Sequence, residues 1–407
     1  MNSSQNRSLF FTVLVAALGY FVDIYDLLLF GIVRVSSLKA LGVPEDQMLS
    51  VGVSLLNHQM AGMLVGGIVW GVIGDLRGRK SVLFGSILLY SLANIANAFV
   101  PNTEVYALLR FLAGVGLAGE LGAAITLVSE VMHKDTRGVG TTIVASVGIL
   151  GAVVGSLIGD YFSWQAAYLV GGGMGLALLM LRAGLLESGM FKSMEGREVL
   201  RGHFHQLFLN RARFGRYLCC ILIGVPIWFV IGVLITFAPE LSRELSVDGI
   251  ITGSKAIMWS YFGLSLGDLS CGLLSQKIKS RKKAVLLFLL ATLALLFVYV
   301  MQKQTSVFGF YTVCWLLGFA GGYWAVFVTI GAEQFGTNIR ATVATTVPNF
   351  VRGSVVPVTL SFQALREPLG ALNAVVVVGT TVITVALIAL YFLKETYGKD
   401  LDYFETL

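Results

Sequence analysis

Two carboxylates lie inside an otherwise apolar run near the start of the chain. Asp23 and Asp26 are three residues apart in the stretch YFVDIYDLLLF, residues 20–30. On a helix this spacing places both side chains on one face. Because a carboxylate in apolar surroundings is costly unless it is paired or protonated, we interpret the two as a functional pair.

Isolated polar side chains also lie in apolar runs elsewhere. Arg352 follows Asn349 by three residues, and an arginine in such a run either attracts an anionic substrate or neutralises Asp268. Earlier in the chain, His58 either titrates or makes a local hydrogen bond. Aromatic residues near these positions line a cavity or serve packing and lipid-facing roles. The candidate substrate-binding residues are Arg352, Asn349, Tyr323, Trp324, His58, Gln59 and Trp228.

The composition is that of a helical membrane protein. Of the 407 residues, 56% are hydrophobic and 13% are charged, and the mean hydropathy is +0.81. A soluble protein of this length needs more charge to cover its surface. Apolar runs of about 20 residues recur, and each is long enough to cross a hydrocarbon core of roughly 30 Å. We therefore predict an all-α protein embedded in a lipid bilayer, with no cofactor or metal site.

The apolar runs predict twelve transmembrane helices in two bundles. A polar stretch midway separates six helices from six, so we expect an N-terminal bundle at 1–186, a cytoplasmic linker at 187–214 and a C-terminal bundle with a short cytoplasmic tail at 215–407. The predicted spans are 8–32, 49–74, 81–100, 104–131, 138–159, 164–186, 215–238, 255–276, 284–302, 306–333, 340–362 and 371–393.

Positive charge is distributed unevenly between the two sides of these helices. With an even number of spans both termini lie on one side, and that side holds more than two thirds of the 29 lysines and arginines. Such a bias places the termini and the linker in the cytoplasm. The net charge of +6 is then a topological signal, and no nucleic-acid partner is needed to explain it. We expect a multi-pass protein of a bacterial cytoplasmic (inner) membrane.

This topology brings Arg110 to the depth of the acidic pair. At 1.5 Å per residue, Arg110 in the fourth span and Asp26 in the first fall at similar depth, with Glu120 nearer the midplane. An Asp–Arg pair would keep the acid ionised until protonation releases the arginine, which couples proton uptake to conformation. The alternative is a static ion pair that fixes helix packing. The predicted proton-coupling residues are Asp23, Asp26, Arg110 and Glu120.

The two halves of the chain repeat one another. Glu130 precedes Arg137 by seven residues and Glu333 precedes Arg340 by seven, each pair between the fourth and fifth spans of its half. Two six-helix halves in the same orientation form a parallel repeat, an architecture of secondary transporters. Both pairs suit a gate that holds cytoplasmic helix ends together.

Three motifs resemble one transporter family. The stretch GDLRGRK, residues 74–80, resembles the loop signature of the major facilitator superfamily. The stretches DIYDLLLFG, from Asp23, and RFLAGVGLAGE, from Arg110, resemble its metabolite:proton and phosphate:proton symporter branches. The resemblance implies a proton path through the acids of helix 1 and the arginine and acid of helix 4. It also implies a cytoplasmic latch that stabilises the outward-facing state. Together with the two repeated pairs, the predicted cytoplasmic gate is Asp75, Arg77, Arg79, Glu130, Arg137, Glu333 and Arg340.

Glycine-rich runs inside apolar helices indicate close packing. The run GVGLAG, residues 114–119, has the spacing of a dinucleotide fingerprint but lies within an apolar helix rather than after a strand. We predict that its glycines, like Gly151, Gly155 and Gly159, allow neighbouring helices to approach closely.

These features predict a secondary active transporter and not an enzyme. The sequence has no nucleotide-binding loop, so a gradient must supply the energy, and carboxylates in an apolar interior suit protons. Arg110 and Arg352 favour an anionic substrate. We expect a monomer that imports a small polar or anionic metabolite with protons, by alternating access. The alternative is a proton-driven exporter of drugs or siderophores. The glycine-rich run 148–159 counts modestly against export because it lacks a proline.

Overall fold

A computed structural model describes residues 3–119, 137–187 and 210–398. The chain divides into two compact units. The first unit is Met1–Pro44 with Ser54–Arg201, and the second is Glu45–Val53 with Gly202–Leu407.

The first unit is built from long helices that pack around α1. Helix α1 packs against α4 and α5, and α3 packs against α1. The helices are α1 Ser3–Ala40, α2 Met48–Asn97, α3 Thr103–Leu117, α4 Arg137–Tyr161 and α5 Trp164–Glu187. The start of α2, up to Val53, belongs to the second unit.

Helix α2 turns back on itself and supplies two of the predicted spans. A Cβ at Gly66 would lie 2.4 Å from the carbonyl oxygen of Val115, and one at Gly116 would lie 2.6 Å from the amide nitrogen of Tyr90. A straight helix would separate Gly66 from Tyr90 by about 36 Å, yet both meet neighbouring residues of α3. The chain therefore reverses between a first arm, up to Trp70, and a second arm, Gly85–Asn97.

Glycines bring the helices of this unit into backbone contact, as predicted. A Cβ at Gly151 of α4 would lie 2.2 Å from the carbonyl oxygen of Phe21 in α1. One at Gly114 of α3 would lie 2.0 Å from the carbonyl oxygen of Gln59 in α2. Side chains cannot occupy these positions, so small residues set the distance between the helices.

The second unit contains several short helices in place of single long ones. Pro226 lies in the first turn of α7, and Pro357 lies in the first turn of α14. Because proline has no backbone N–H, it cannot donate the hydrogen bond that would continue the preceding helix. The elements are α6 Arg211–Leu222, α7 Val225–Phe229, a π-helical segment Val230–Ile235, α8 Ala238–Glu244, α9 Gly253–Lys277, α10 Arg281–Met301, α11 Val307–Gly321, α12 Trp324–Glu333, α13 Thr337–Gly353, α14 Val355–Leu369 and α15 Ala371–Phe392.

These interruptions divide three of the predicted spans, at 215–238, 306–333 and 340–362. The break between α11 and α12 lies where a Cβ at Gly322 would meet the backbone of Gly267 in α9 at 2.5 Å. Discontinuous helices are typical of binding sites in membrane transporters, because unwound backbone and helix ends are exposed there.

Long apolar helices confirm that the chain is a membrane protein. Seven segments of the described chain are long and apolar enough to cross a bilayer. They are Val13–Ala40, Glu45–Trp70, Trp164–Ala183, Arg211–Ile235, Arg281–Met301, Val307–Glu333 and Ala371–Phe392.

Candidate functional site

Both carboxylates of α1 are fully buried. Asp23 and Asp26 have no exposed surface. Both carboxylate oxygens of Asp26 lack a hydrogen-bond partner among the described groups. A Cβ at Gly171 of α5 would lie 2.3 Å from Oδ1 of Asp26, so this glycine makes room for the carboxylate. Asp26 is therefore a fully buried acid, and its ionised form is costly in such surroundings unless it is paired.

Arg110 of α3 is held by the second arm of α2 and by α5. Its Nη2 donates to Oδ1 of Asn94 at 2.5 Å, and its Nε donates to Oδ1 of Asn97 at 3.3 Å. The guanidinium carbon lies 4.8 Å from the centre of the Tyr168 ring. Asn97 is itself oriented, because its Nδ2 donates to the carbonyl of Ala93 at 2.6 Å.

The predicted direct pair between Asp26 and Arg110 is absent from the described contacts. The two residues are electrostatic neighbours, and Asn94 also lies beside Asp26. Among the described residues, however, no ion pair within 4.0 Å joins them, since the arginine donates to the two asparagines instead. Asn94 and Asn97 were missed by the sequence reasoning. Two amides three residues apart in an apolar span, on one helix face, were the available signal.

Gln59 and His58 of α2 differ in burial and in hydrogen-bond partner. Gln59 is fully buried, and its Nε2 donates to the carbonyl of Leu27 at 3.1 Å. His58 is exposed, and its Nδ1 donates to the carbonyl of Ser54 one turn earlier at 2.7 Å. The local hydrogen bond, one of the two alternatives for His58, is therefore present. Glu120 lies outside the described residues.

In the second unit, Arg352 lies near two tryptophans at the interrupted helices. Its guanidinium carbon is 6.0 Å from the ring centres of Trp228 in α7 and Trp324 at the start of α12. Arg352 is 1% exposed, and Asn349, one turn earlier on α13, is 2% exposed. The guanidinium is thus buried with two indole rings at cation–π distance.

The hydrogen-bond partner of Asp268 is a backbone amide and not Arg352. Its Oδ1 accepts a hydrogen bond from the backbone N–H of Ala325 at 3.0 Å, which caps the start of α12. No ion pair joins Asp268 to Arg352 in the described part of the chain, so the reading in which Arg352 neutralises Asp268 is not supported. The hydroxyl of Tyr323 donates to the carbonyl of Ile223 at 3.0 Å, which ties the α11–α12 break to the α6–α7 break.

One predicted gate residue has a defined partner. Glu333 accepts two hydrogen bonds from Arg281, from Nε at 2.6 Å and from Nη2 at 2.8 Å. The described partner of Glu333 thus lies at the start of α10, far in sequence from Arg340. The remaining gate residues, or their side chains, lie outside the described residues: Asp75, Arg77, Arg79, Glu130, Arg137 and Arg340.

Glu395 joins the end of the chain to this cluster. Its carboxylate accepts hydrogen bonds from the Ser280 hydroxyl and from the backbone N–H groups of Arg281 at 3.0 Å and Lys282 at 3.3 Å. These bonds cap α10. Burial acts to raise the pKa of Glu395, but the bonds from Ser280 and from nearby backbone amides prevail and hold the pKa below its usual value.

Comparison with known proteins assigns the chain to a family. A family model described as Major Facilitator Superfamily matches residues 9–355. The chain belongs to the major facilitator superfamily. A niacin transporter of Acinetobacter baylyi is 25% identical over 95% of this chain and 94% of that protein. A 3-(3-hydroxy-phenyl)propionate transporter of Escherichia coli is 26% identical over 84% of this chain and 83% of that protein.

The fold is shared with a solved member of the family. The proton:xylose symporter XylE from Escherichia coli has a TM-score of 0.69 with this chain at 16% sequence identity, and the alignment covers 98% of each. The major facilitator fold predicted from the motifs is therefore confirmed. The protein is a membrane-embedded transporter of small molecules and not an enzyme.

Proposed function

We propose that this member of the superfamily imports a small aromatic monocarboxylate together with protons. The observation that carries the substrate class is Arg352, which is buried and lies 6.0 Å from the ring centres of Trp228 and Trp324. The guanidinium matches a carboxylate with two parallel hydrogen bonds, and the indole rings suit a flat ring. The names of two relatives, niacin transporter and 3-(3-hydroxy-phenyl)propionate transporter, point to the same chemistry.

The coupling ion follows from Asp26. A buried carboxylate without a hydrogen-bond partner gains most from taking up a proton. The positive charge of the nearby Arg110 stabilises the ionised form of this carboxylate. Proton binding and release at Asp26 would then accompany alternating access, and Asp23 and Glu120 complete the proposed path. XylE, which shares the fold, is named as a proton symporter.

The direction and location of transport are part of the proposal. The bias of lysine and arginine supports cytoplasmic termini in a bacterial inner membrane. Uptake of an aromatic acid with protons uses the inward proton gradient across such a membrane, so import is the favoured direction.

Transport by purified protein in liposomes tests the proposal. We expect niacin to accumulate when the outside is made acidic, with little uptake of xylose. Asp26→Asn should abolish gradient-driven accumulation while leaving counterflow exchange of labelled niacin. Asp248→Asn, the same change at an exposed aspartate, is the matched control and should behave as the original protein does. Undiminished accumulation by Asp26→Asn would contradict the coupling role, and exchange of xylose in place of niacin would contradict the substrate class.

A further inference from the structure

Three neutral side chains surround the guanidinium of Arg110. Asn94 and Asn97 accept its hydrogen bonds at 2.5 and 3.3 Å, and the ring of Tyr168 covers it at 4.8 Å. All three, and Arg110 itself, are fully buried. We refer to Asn94, Asn97 and Tyr168 as the Arg110 clamp.

The clamp is fixed by its own contacts. The Tyr168 hydroxyl lies 2.6 Å from the hydroxyl of Tyr106, which donates to Oγ of Ser37 at 3.2 Å. The edge of the Tyr168 ring meets Trp164, with ring centres 6.3 Å apart. The position of the aromatic ring is therefore set by α1, α3 and α5 together, and it does not depend on Arg110.

Asp26 lies beside this arrangement, with Asn94 as its polar neighbour. Arg110 is close enough to act on Asp26 electrostatically, yet its guanidinium donates to Asn94 and Asn97 instead. We propose that the Arg110 clamp is a positioning device that keeps the guanidinium out of an ion pair with Asp26, and so sets the pH at which Asp26 takes up a proton. This inference rests on the proposed proton coupling and assigns residues beyond it.

Few charged groups face the Asp26 carboxylate from the surrounding helices. A second acid on α1 repels the ionised form of Asp26, and the arginine of α3 attracts it. The second arm of α2 contributes only neutral amides to this cluster, and α5 contributes a phenol. The titratable and charged groups near Asp26 and Tyr168 are Asp23, Asp26, Tyr25, Tyr106, Arg110 and Tyr168.

Loss of one clamp member should free Arg110 to pair directly with Asp26. A direct ion pair favours the ionised carboxylate, so transport would then need more acid to load the proton. A desolvated cation–aromatic contact has a strength that corresponds to roughly one pH unit. We expect Tyr168→Leu to move the midpoint of the pH profile of niacin uptake about one unit toward acid. Asn97→Leu, which removes the other class of clamp contact, should move it in the same direction.

Two conservative variants separate positioning from general packing. Tyr168→Phe keeps the ring over Arg110 and loses only the hydroxyl, so its midpoint should stay within about 0.3 unit of the original. Tyr299→Phe of the second unit is the matched control, because the Tyr299 hydroxyl is also buried but donates to the carbonyl of Leu234 at 3.0 Å. Its midpoint should not move.

The experiment records initial niacin uptake in proteoliposomes against pH, with counterflow exchange at fixed pH as the measure of folded protein. Tyr168→Leu and Asn97→Leu are independent, so a folding defect in one leaves the other as the test. Acid-shifted midpoints with exchange retained support the inference. Unmoved midpoints overturn it, as does an equal shift in Tyr299→Phe. Failure of the proposed function is seen separately, as accumulation that survives Asp26→Asn.

Discussion

Replacing Arg352 with glutamine should weaken binding of an aromatic acid without disturbing binding of its neutral amide. Arg352 is 1% exposed and its guanidinium carbon lies 6.0 Å from two tryptophan ring centres, so a carboxylate bound there loses its water and depends on the arginine. A hydrogen bond to a charged partner contributes about 1.5–3 kcal/mol. At about 1.4 kcal/mol per tenfold change, the Kd for niacin should rise roughly 10- to 150-fold.

The assay is calorimetric titration of purified protein with niacin and with nicotinamide, which has the same ring and no charge. The original protein should prefer niacin, and Arg352→Gln should lose that preference while its nicotinamide affinity stays within about threefold. Arg352→Lys keeps the charge but not the planar fork, so it should fall between the two.

One control variant and two contradicting outcomes make the result decisive. Arg243→Gln removes an arginine whose side chain is 62% exposed and should change neither Kd. If Arg352→Gln weakens both ligands equally, the arginine supports the fold rather than the carboxylate. If it weakens neither, the substrate site lies elsewhere.

Three further predictions concern the scaffold. Gly151→Leu places a side chain where the α1 backbone lies, and overpacking of this kind costs about 1–3 kcal/mol, so the melting temperature in detergent should fall while Gly173→Ala, at a position with open space, should leave it unchanged. Arg281→Gln removes the two hydrogen bonds to Glu333, whose side chain is 12% exposed, and should destabilise by about 1–3 kcal/mol; a double-mutant cycle with Glu333→Gln that shows no coupling would contradict this. Glu395→Gln removes the ionised cap of α10 at a cost of about 1 kcal/mol or less. Because the pKa of Glu395 is lowered from about 4.5 on folding, its contribution is present above that pH and is lost as the pH falls through the folded value, so the melting temperatures of both proteins should converge in acid and differ near neutrality.

Hydropathy predicted the membrane class and the approximate spans because the bilayer imposes length and apolarity on every crossing helix. It did not predict the breaks in the helices of the second unit, because a proline such as Pro226 interrupts hydrogen bonds without changing mean hydropathy. The spacing of Asp23 and Asp26 was sufficient to predict a shared, buried face.

The partners of the charged residues were less accessible from sequence. Depth along two antiparallel helices brought Arg110 near Asp26, but depth does not specify rotation, and the amides of α2 took the hydrogen bonds. Likewise the sequence left open whether Arg352 attracts a substrate or neutralises Asp268. The hydrogen bond from the backbone N–H of Ala325 to Asp268 gives that carboxylate another partner. The seven-residue spacing pointed Glu333 toward Arg340, whereas its described partner is Arg281, 52 residues away.

The backbone contact between α1 and α4 has a practical consequence for engineering. With Gly151 resting on the carbonyl of Phe21, neither helix has room for a bulkier residue or a one-residue insertion along that seam. An insertion would also swing every later side chain of α1 by about 100° and carry Asp26 off its face. Mutant libraries meant to broaden the substrate range of this protein should therefore leave α1 unchanged and vary α7, α12 and the last turn of α13.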